Sequence, residues 1–294
     1  MRHAILIHAH RFPEQFGRLC SAIRHPDFDI YANIDAKSDI ETFRREAPTV
    51  QFVSKRTNIK WGHWSQVEAT LDSLKEIVGS GKDYGYVLFI SGQDYPICPL
   101  DEIAETLRQR YGQEFIGSSS CVITDRKQYR HLEMRYTKRW VHFKNKYLAI
   151  LPNMVLRLMP DQKQYYPLYK GSQWWNLTLE CVRYIIAFCE ANPHIVQSYR
   201  HSLCPDEIFF QSMLHASPFK ERLANHIFRY IDWSDGPTSP KTLDSSDYEA
   251  IVNSGAWFAR KVDMQKDSRL LDMLDKNIAS KPSKPKIFNQ PICR

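Results

Sequence analysis

The chain has 294 residues, of which 43% are hydrophobic and 25% are charged, a composition that excludes a largely disordered protein. The formal net charge of +7 favours polyanions or an anionic membrane face as partners. No apolar run reaches the roughly 20 residues that a membrane-spanning helix needs.

The first half of the chain alternates between strand and helix patterns. Strands are predicted over 3–9, 29–34, 50–54 and 86–90, and helices over 13–23 and 64–78. The apolar start is interrupted by His8 and His10, so we expect a first strand there rather than an export signal. The alternation predicts an α/β fold with helices flanking a mainly parallel central sheet.

The second half is less regular. Helices are predicted over 99–111, 178–191, 205–215, 245–253 and 264–278, and the stretch 125–165 is expected to be rich in loops. We expect one domain over 1–280, followed by a basic, flexible tail over 281–294 that prolines interrupt. The seven cysteines are scattered without a CxxC pair, which predicts a reducing, cytoplasmic location and no zinc site.

Eight basic residues against two acidic ones occupy the stretch 125–146. Such a cluster is a solvated surface, a site for a phosphorylated glycan, or a contact with an anionic membrane. Nucleic acid is a remote alternative, because no nucleic-acid motif is present, and none is expected as a partner.

In an open α/β sheet, ligands bind beyond the carboxyl ends of the strands. That rule selects the segments 8–11, 35–37, 60–62 and 91–95. Asp35 either accepts hydrogen bonds from a uracil or ribose or caps its strand. Trp61 is either a stacking platform or a core residue, and Asp94 is positioned to bond a hydroxyl group.

Three later segments combine residue types that suit sugar chemistry. The segment 170–177 is either a carbohydrate platform or a buried turn. Glu207 is either a helix-capping acid or a general base whose basicity its apolar neighbours raise. Arg229, Arg260 and Lys261 lie in aromatic runs and are either surface cations or a clamp for a diphosphate.

Familiar nucleotide and metal motifs are missing from the sequence. It has no GxGxxG, no phosphate-binding GxxxxGK[ST] loop and no HExxH. The residues 27–29 formally form a DxD motif, but they precede a predicted strand instead of following one. We therefore expect no metal site.

Six segments, taken in order, resemble the core-2/I-branching β-1,6-N-acetylglucosaminyltransferase family, which includes the peptide O-xylosyltransferases. The segments are NIDAKS at 33–38, WGHWSQV at 61–67, SGQDYP at 91–96, GSQWW at 171–175, PDE at 205–207 and FARK at 258–261. The likeness runs from His8 to about Val262 and is closest to a soluble, bacterial-type member. It implies a GT-A-like fold, inversion at the anomeric carbon and no divalent metal or other cofactor.

The resemblance also implies roles for individual residues. Glu207 would be the general base, and Lys261 with Arg229, or with Arg260 instead, would hold the diphosphate. The implied UDP-sugar site further contains Ile7, His8, His10, Asp35, Lys37 and Trp61. The implied acceptor or sugar site contains Asp94, Ser172, Gln173, Trp174 and Trp175.

The expected reaction transfers a sugar, N-acetylglucosamine first, from a UDP-sugar donor to a hydroxyl of a glycan acceptor. Surface polysaccharide assembly on a lipid-linked glycan is the expected setting, with peripheral contact at the inner face of the cell membrane. The alternatives are a xylosyl- or other hexosyltransferase, a non-catalytic glycan-binding protein and, remotely, a nucleic-acid-binding protein.

Overall fold

The computed structural model describes residues 1–119, 148, 150–159, 163–236 and 239–281. The predictions for the basic stretch 125–146 and for the tail beyond 281 concern residues outside these ranges. No helix within the described residues is both long enough and apolar enough to cross a bilayer.

Seven strands form the central sheet in the order β3-β2-β1-β4-β7-β6-β8. They are β1 (Arg2–Ala9), β2 (Phe28–Ile34), β3 (Gln51–Phe52), β4 (Tyr84–Ser91), β6 (Glu114–Ser119), β7 (Lys170–Thr178) and β8 (Leu223–Ala224). All neighbours pair in parallel except at β7, which is antiparallel to both β4 and β6. The predicted α/β class with a mainly parallel sheet is confirmed.

Helices cover both faces of this sheet. They are α1 (Pro13–Ala22), α2 (Ile40–Glu46), α3 (Ser65–Gly79), α4 (Leu100–Gln109), α5 (Ile150–Arg157), α6 (Leu179–Ala191), α7 (Pro193–Tyr199), α8 (Phe209–His215), α9 (Tyr248–Val252) and α10 (Ser268–Ser280). The predicted helix over 205–215 is divided, because Ile208 leaves helical geometry at φ −133° between a 3₁₀ turn (Pro205–Glu207) and α8. The last helix begins at 268 because the Asp267 side chain accepts hydrogen bonds from its first amides.

The central strands are apolar on both sides because each side faces a core. Along β1, Ile5 and Ile7 join the cluster under α1, α4 and α10, whereas Ala4 and Leu6 join the cluster under α3, α6 and α8. Strand β4 alternates in the same way. Burial on both faces explains why these strands appear in the sequence as continuous apolar runs.

A small second sheet joins the end of the chain to its beginning. It pairs β5 (Asp94–Pro96), β10 (Phe258–Arg260) and β9 (Arg229–Ile231) in the order β5-β10-β9. The buried Gln15 side chain reinforces this junction, since it donates to the carbonyls of Gly92 and Val262 at 2.9 and 3.3 Å and accepts from the Met264 amide at 2.7 Å. Residues of β10 are thereby held at the carboxyl edge of the central sheet.

The segment 170–177 is strand β7, so the alternative of a buried turn is wrong. Gly171 lies so close to the neighbouring strand that a Cβ built on it would be 1.7 Å from the carbonyl oxygen of Gly117. Only glycine fits this approach of the two backbones. Because β7 runs antiparallel to β4, its first residues lie at the edge where β1, β2 and β4 end.

Candidate functional site

A cavity of about 1070 Å³ opens at this carboxyl edge. Three of the segments that the strand-end rule selected contribute to it, through residues 8–11, Asp35 and residues 91–93, and Trp61 adds an indole from the fourth. The other lining comes from the start of β7, from the 3₁₀ turn Pro205–Glu207, and from Arg260 and Lys261. Residues more than 250 positions apart thus meet in one site.

His8 lines the cavity as a neutral imidazole. It is 9% exposed, its ring meets Phe89 edge-on with centroids 4.7 Å apart, and burial lowers its pKa to about 3. Its Nε2 atom has no hydrogen-bond partner among the described residues. A buried polar atom without a protein partner, next to a cavity, is suited to bonding a ligand.

The ends of β1 and β4 approach closely at this point. The Gly92 amide donates to the His8 carbonyl at 2.9 Å, and a Cβ at Gly92 would be 3.0 Å from the Cβ of Ala9. The absence of a side chain at Gly92 therefore keeps the strand ends together under the cavity.

Asp35 is buried at the end of β2 and lines the cavity. Lys37 fixes it, since the Lys37 amide donates to its Oδ1 at 2.9 Å and Lys37 Nζ lies 3.0 Å from its Oδ2. Lys37 Nζ also donates to the Ile59 carbonyl. Lys37 was expected to bind UDP, but it is not part of the cavity lining and instead holds Asp35 in place.

Glu207 lines the cavity at the end of its 3₁₀ turn. Cys204 begins that turn in the left-handed region at φ 53° and donates its amide to the Gly62 carbonyl at 2.8 Å. The apolar residues that follow Glu207 belong to the buried core. Lys170 Nζ lies 3.7 Å from Glu207 Oε2.

In addition to Lys170, the cations Arg11, Arg260 and Lys261 line the same cavity. Arg260 lies over the Trp174 ring at 4.6 Å, and its Nη1 donates to Ser91 Oγ. Burial lowers the pKa of Lys261, and the neighbouring Arg11 and Arg260 lower it further. A cluster in which like charges destabilise one another is relieved when an anion binds.

Besides Lys37, four residues expected to contact ligand are not part of the cavity lining: Ile7, Asp94, Trp175 and Arg229. Ile7 and Trp175 are completely buried in the two core clusters. Asp94 is also completely buried, where it accepts from the Ser91 amide and lies 3.7 Å from Arg260 Nη1. It is the counter-ion that places Arg260, and it does not reach a sugar hydroxyl.

Arg229, expected to hold a diphosphate, is enclosed by the protein. Its two terminal nitrogens donate to the carbonyls of Ile227 and Phe89 at 2.6 and 2.5 Å. Burial lowers its pKa to about 10. Arg229 therefore fixes the start of β9 against β4, and Arg260 takes the place at the cavity.

Some lining residues were not among the expected ligands. Arg11 lies in the selected segment 8–11, and Lys170 opens the segment 170–177, so both lay beside predicted residues. Trp233 follows β9 at the end of the aromatic run around Arg229, but it was not predicted to bind a ligand. It is 53% exposed, and Trp61 is 71% exposed, so two indoles are accessible to a ligand in the cavity.

The DxD-like residues lie away from the cavity, before and at the start of β2. Asp29 forms an ion pair with Lys82 at 2.8 Å and accepts from Tyr84 at 2.6 Å, and Asp27 lies 3.4 Å from Arg108. Among the residues that the structure describes, no three His, Cys, Asp or Glu side chains are grouped as metal ligands.

Comparison with protein families supports one assignment. A family described as Core-2/I-Branching enzyme matches residues 4–253. The match ends before Arg260 and Lys261, which complete the cationic part of the cavity.

Curated relatives share low identity over most of the chain. Beta-glucuronosyltransferase GlcAT14B of Arabidopsis thaliana is 23% identical over 90% of this chain and 63% of its own length. Xylosyltransferase 2 of Rattus norvegicus is 23% identical over 93% of this chain and 33% of its own length. A beta-1,6-N-acetylglucosaminyltransferase 4 of Danio rerio is 20% identical over 80% and 58%. The chain thus spans between one third and two thirds of these relatives.

Among solved structures, mouse xyloside xylosyltransferase 1 in its apo form overlaps 88% of this chain and 97% of its own. The TM-score is 0.41 and the sequence identity is 11%. At this TM-score and sequence identity, the overlap supports no conclusion about function.

Proposed function

This chain belongs to the Core-2/I-Branching enzyme family, and on that premise we propose that it is an inverting, metal-independent glycosyltransferase acting on a UDP-sugar and a glycan hydroxyl. The observation that carries the proposal is the cavity itself, in which the Glu207 carboxylate lines a common space with the cations Arg11, Arg260 and Lys261. A base and an anion clamp are the two functions that this transfer requires.

Glu207 takes the proton of the acceptor hydroxyl. The acceptor oxygen then forms a bond to the anomeric carbon while the bond from that carbon to the diphosphate oxygen breaks. A single displacement of this kind inverts the anomeric centre. Lys170 Nζ lies 3.7 Å from Glu207 Oε2, beside the proposed base.

Arg11, Arg260 and Lys261 take up the negative charge that develops on the departing UDP. Fixed cations in a partly buried site stabilise such charge without having to reorganise during the reaction. Arg260 is held in advance by Ser91, Asp94 and the Trp174 ring. These contacts support a role that a bound metal ion has in other transferases.

The strand ends supply the nucleoside site. Asp35 and the neutral His8 present hydrogen-bonding atoms toward the cavity, with His10 beside them. Trp61 and Trp233 offer flat apolar faces, and such faces bind sugar rings and bases. Ser172, Gln173 and Trp174 at the start of β7 are assigned to the sugar or acceptor.

N-acetylglucosamine remains the first donor to test. The names of the relatives add xylose and glucuronic acid as alternatives. We assign the acceptor to a lipid-linked glycan in surface polysaccharide assembly at the cytoplasmic face of a membrane, a setting that the excess of basic residues over 125–146 supports.

The first test is UDP release from a panel of UDP-sugars in the presence of EDTA. Glu207→Gln keeps the shape of the side chain but removes the base, so turnover should fall by about 10² to 10⁴-fold. Glu221→Gln, at an exposed residue that does not line this cavity, should keep wild-type turnover.

Three outcomes would contradict parts of the proposal. Activity that depends on a divalent cation would contradict the metal-free mechanism. Full activity of Glu207→Gln would contradict the role of Glu207 as general base. Glycan binding without hydrolysis of any donor would favour a non-catalytic glycan-binding protein.

A further inference from the structure

Phe12 has an unusual backbone conformation at the edge of the cavity. It lies in the left-handed region, with φ 59° and ψ 64°, between the end of β1 and the start of α1. This region is unfavourable for a residue with a bulky side chain, and glycine or asparagine would adopt it more readily. Such conformations persist where the surrounding structure enforces them, and they cluster at ligand-binding sites.

The neighbours of Phe12 explain how this conformation is held. Pro13 opens α1, and a proline disfavours the right-handed helical region for the residue before it. The Phe12 carbonyl accepts a hydrogen bond from the Phe16 amide at 2.9 Å, and the Phe12 side chain is half-buried. Phe12 is therefore tied to the first turn of a helix that packs on the central sheet.

The Phe12 ring also contacts the side chain before it. The guanidinium carbon of Arg11 lies 4.6 Å from the ring centroid, within the range of a cation–π contact. Arg11 is exposed and lines the cavity, whereas Phe12 does not line it. Among the residues with described positions, no acidic side chain forms a salt bridge with Arg11, whereas Arg260 has Asp94 at 3.7 Å. The ring thus holds a guanidinium that has no counter-ion.

Arg11 acts on the same space as the other cations of the clamp. Burial lowers the pKa of Arg260, Asp94 opposes this effect, and Arg11 lowers the pKa further. Arg11 has the same influence on Lys261. An anion that binds to Arg260 and Lys261 is therefore within the field of Arg11 as well.

We propose that Phe12 is a positioning residue for the diphosphate of the donor, since its left-handed backbone directs Arg11 to the cavity and its ring holds the guanidinium there. This inference rests on the proposed reaction with a UDP-sugar. An arginine side chain that is already held in place loses less conformational entropy when the ligand binds. Phe12 acts through Arg11 and is not itself part of the cavity lining.

The test compares the binding of UDP and of uridine by titration calorimetry. Phe12→Asn suits the left-handed backbone but removes the ring, so it should weaken UDP binding by about 3- to 10-fold. Phe12→Tyr keeps the ring and should bind UDP like the wild type. Uridine has no diphosphate, so all variants should bind it equally, and this binding also shows that they are folded.

Phe52→Leu is the matched control. The half-buried Phe52 ring also carries an arginine, Arg44, at 5.8 Å, but neither residue lines the cavity. Removing this ring should leave UDP binding unchanged. An equal loss in Phe12→Asn and Phe52→Leu would overturn the proposal, because it would show a general effect of losing an aromatic residue.

A double variant shows whether Phe12 acts through Arg11. Arg11→Ala should weaken UDP binding by about 10- to 100-fold, and adding Phe12→Asn should then have no further effect. Losses that multiply would overturn the proposal, as would an equal loss of uridine binding. Wild-type UDP affinity in Phe12→Asn would remove the positioning role and leave the proposed reaction intact. A wild type that binds no UDP would contradict the proposed reaction and this inference together.

Discussion

Arg229 and Arg260 differ in how they are buried, and they have different roles. Arg229 donates hydrogen bonds to the backbone carbonyls of Ile227 and Phe89, so it holds β9 against β4. Arg260 is anchored on one side by Ser91 and Asp94 and still lines the cavity. Both occur in aromatic, strand-like runs, and nothing in the local sequence distinguishes them, because the difference arises from Phe89 for Arg229 and from Ser91 and Asp94 for Arg260, each more than 100 residues away.

The two lysines expected to contact UDP should respond differently to mutation. Lys261→Ala should weaken UDP binding by about 10- to 100-fold, because a charge-assisted contact to a phosphate is lost. Lys37→Ala should change it by less than about threefold, because Lys37 is outside the cavity lining, its side chain is 53% exposed, and the backbone amide at position 37 still donates to Asp35 Oδ1. Titration calorimetry with UDP compares the two variants. Equal losses for both would place Lys37 in the nucleotide site.

At the scale of single elements, β7 depends on a contact between backbones. Gly171→Ala places a methyl group where the Gly117 carbonyl lies, so β6 and β7 must separate. We expect a loss of at least about 2 kcal/mol in the free energy of unfolding. Urea denaturation of the variant and the wild type measures it.

Gly79→Ala is the matched control for that variant. Gly79 ends α3, and a Cβ there meets no atom within 4 Å. Alanine should stabilise the protein by about 0.5 to 1 kcal/mol through the reduced entropy of the unfolded chain. Similar effects of the two substitutions would mean that β6 and β7 are not packed this closely.

The strands and helices around β1, β2 and β4 were predictable because long segments of the sequence have regularly spaced or continuous apolar residues. Strand β7 was harder to recognise, because GSQWWNLT lacks a regular alternation and its polar and aromatic residues suggested a binding segment. In fact it is both, since Trp174 lines the cavity and Trp175 is buried in the core. Strands β5, β9 and β10 have three residues each, too few for a period to emerge.

The candidate site was predictable where it follows the ends of strands. His8, Asp35 and Ser91 all line the cavity, as the rule for parallel sheets implies. Glu207, Lys261 and the residues around Trp174 were selected by residue type and received their roles from the family resemblance, and the structure brings them to the same cavity. Their proximity depends on the small second sheet, which no local pattern specifies.

For the molecule as a whole, buried neutral histidines set a limit on stability in acid. Burial lowers the pKa of His3 to about 4 and that of His8 to about 3, below the ordinary value near 6.5. At pH values between the folded-state and the ordinary pKa, these histidines are protonated in the unfolded chain and neutral in the folded chain. The free energy of unfolding therefore falls as the pH falls from about 6.5 to 4. Each histidine should lower the free energy of unfolding by about 2 kcal/mol at pH 5.

His3→Phe isolates one of these contributions. His3 lies between Phe28 and Tyr86, with ring centroids 5.2 and 6.0 Å away, so a phenyl ring suits its surroundings. The loss of stability between pH 7 and pH 5 should be about 2 kcal/mol smaller in this variant than in the wild type. Urea denaturation at the two pH values measures the difference. An identical loss in both proteins would show that His3 is protonated in the folded state.

The junction at Gln15 has a consequence for the timing of biosynthesis. Its side chain connects the first helix to Val262 and Met264, and Arg260 and Lys261 stand directly before this contact. Ribosomes add about 5 to 20 residues per second, so a nascent chain holds β1 to β4 for many seconds before Arg260 and Lys261 are made. The proposed diphosphate clamp is therefore completed long after the sheet that supports it has been synthesised.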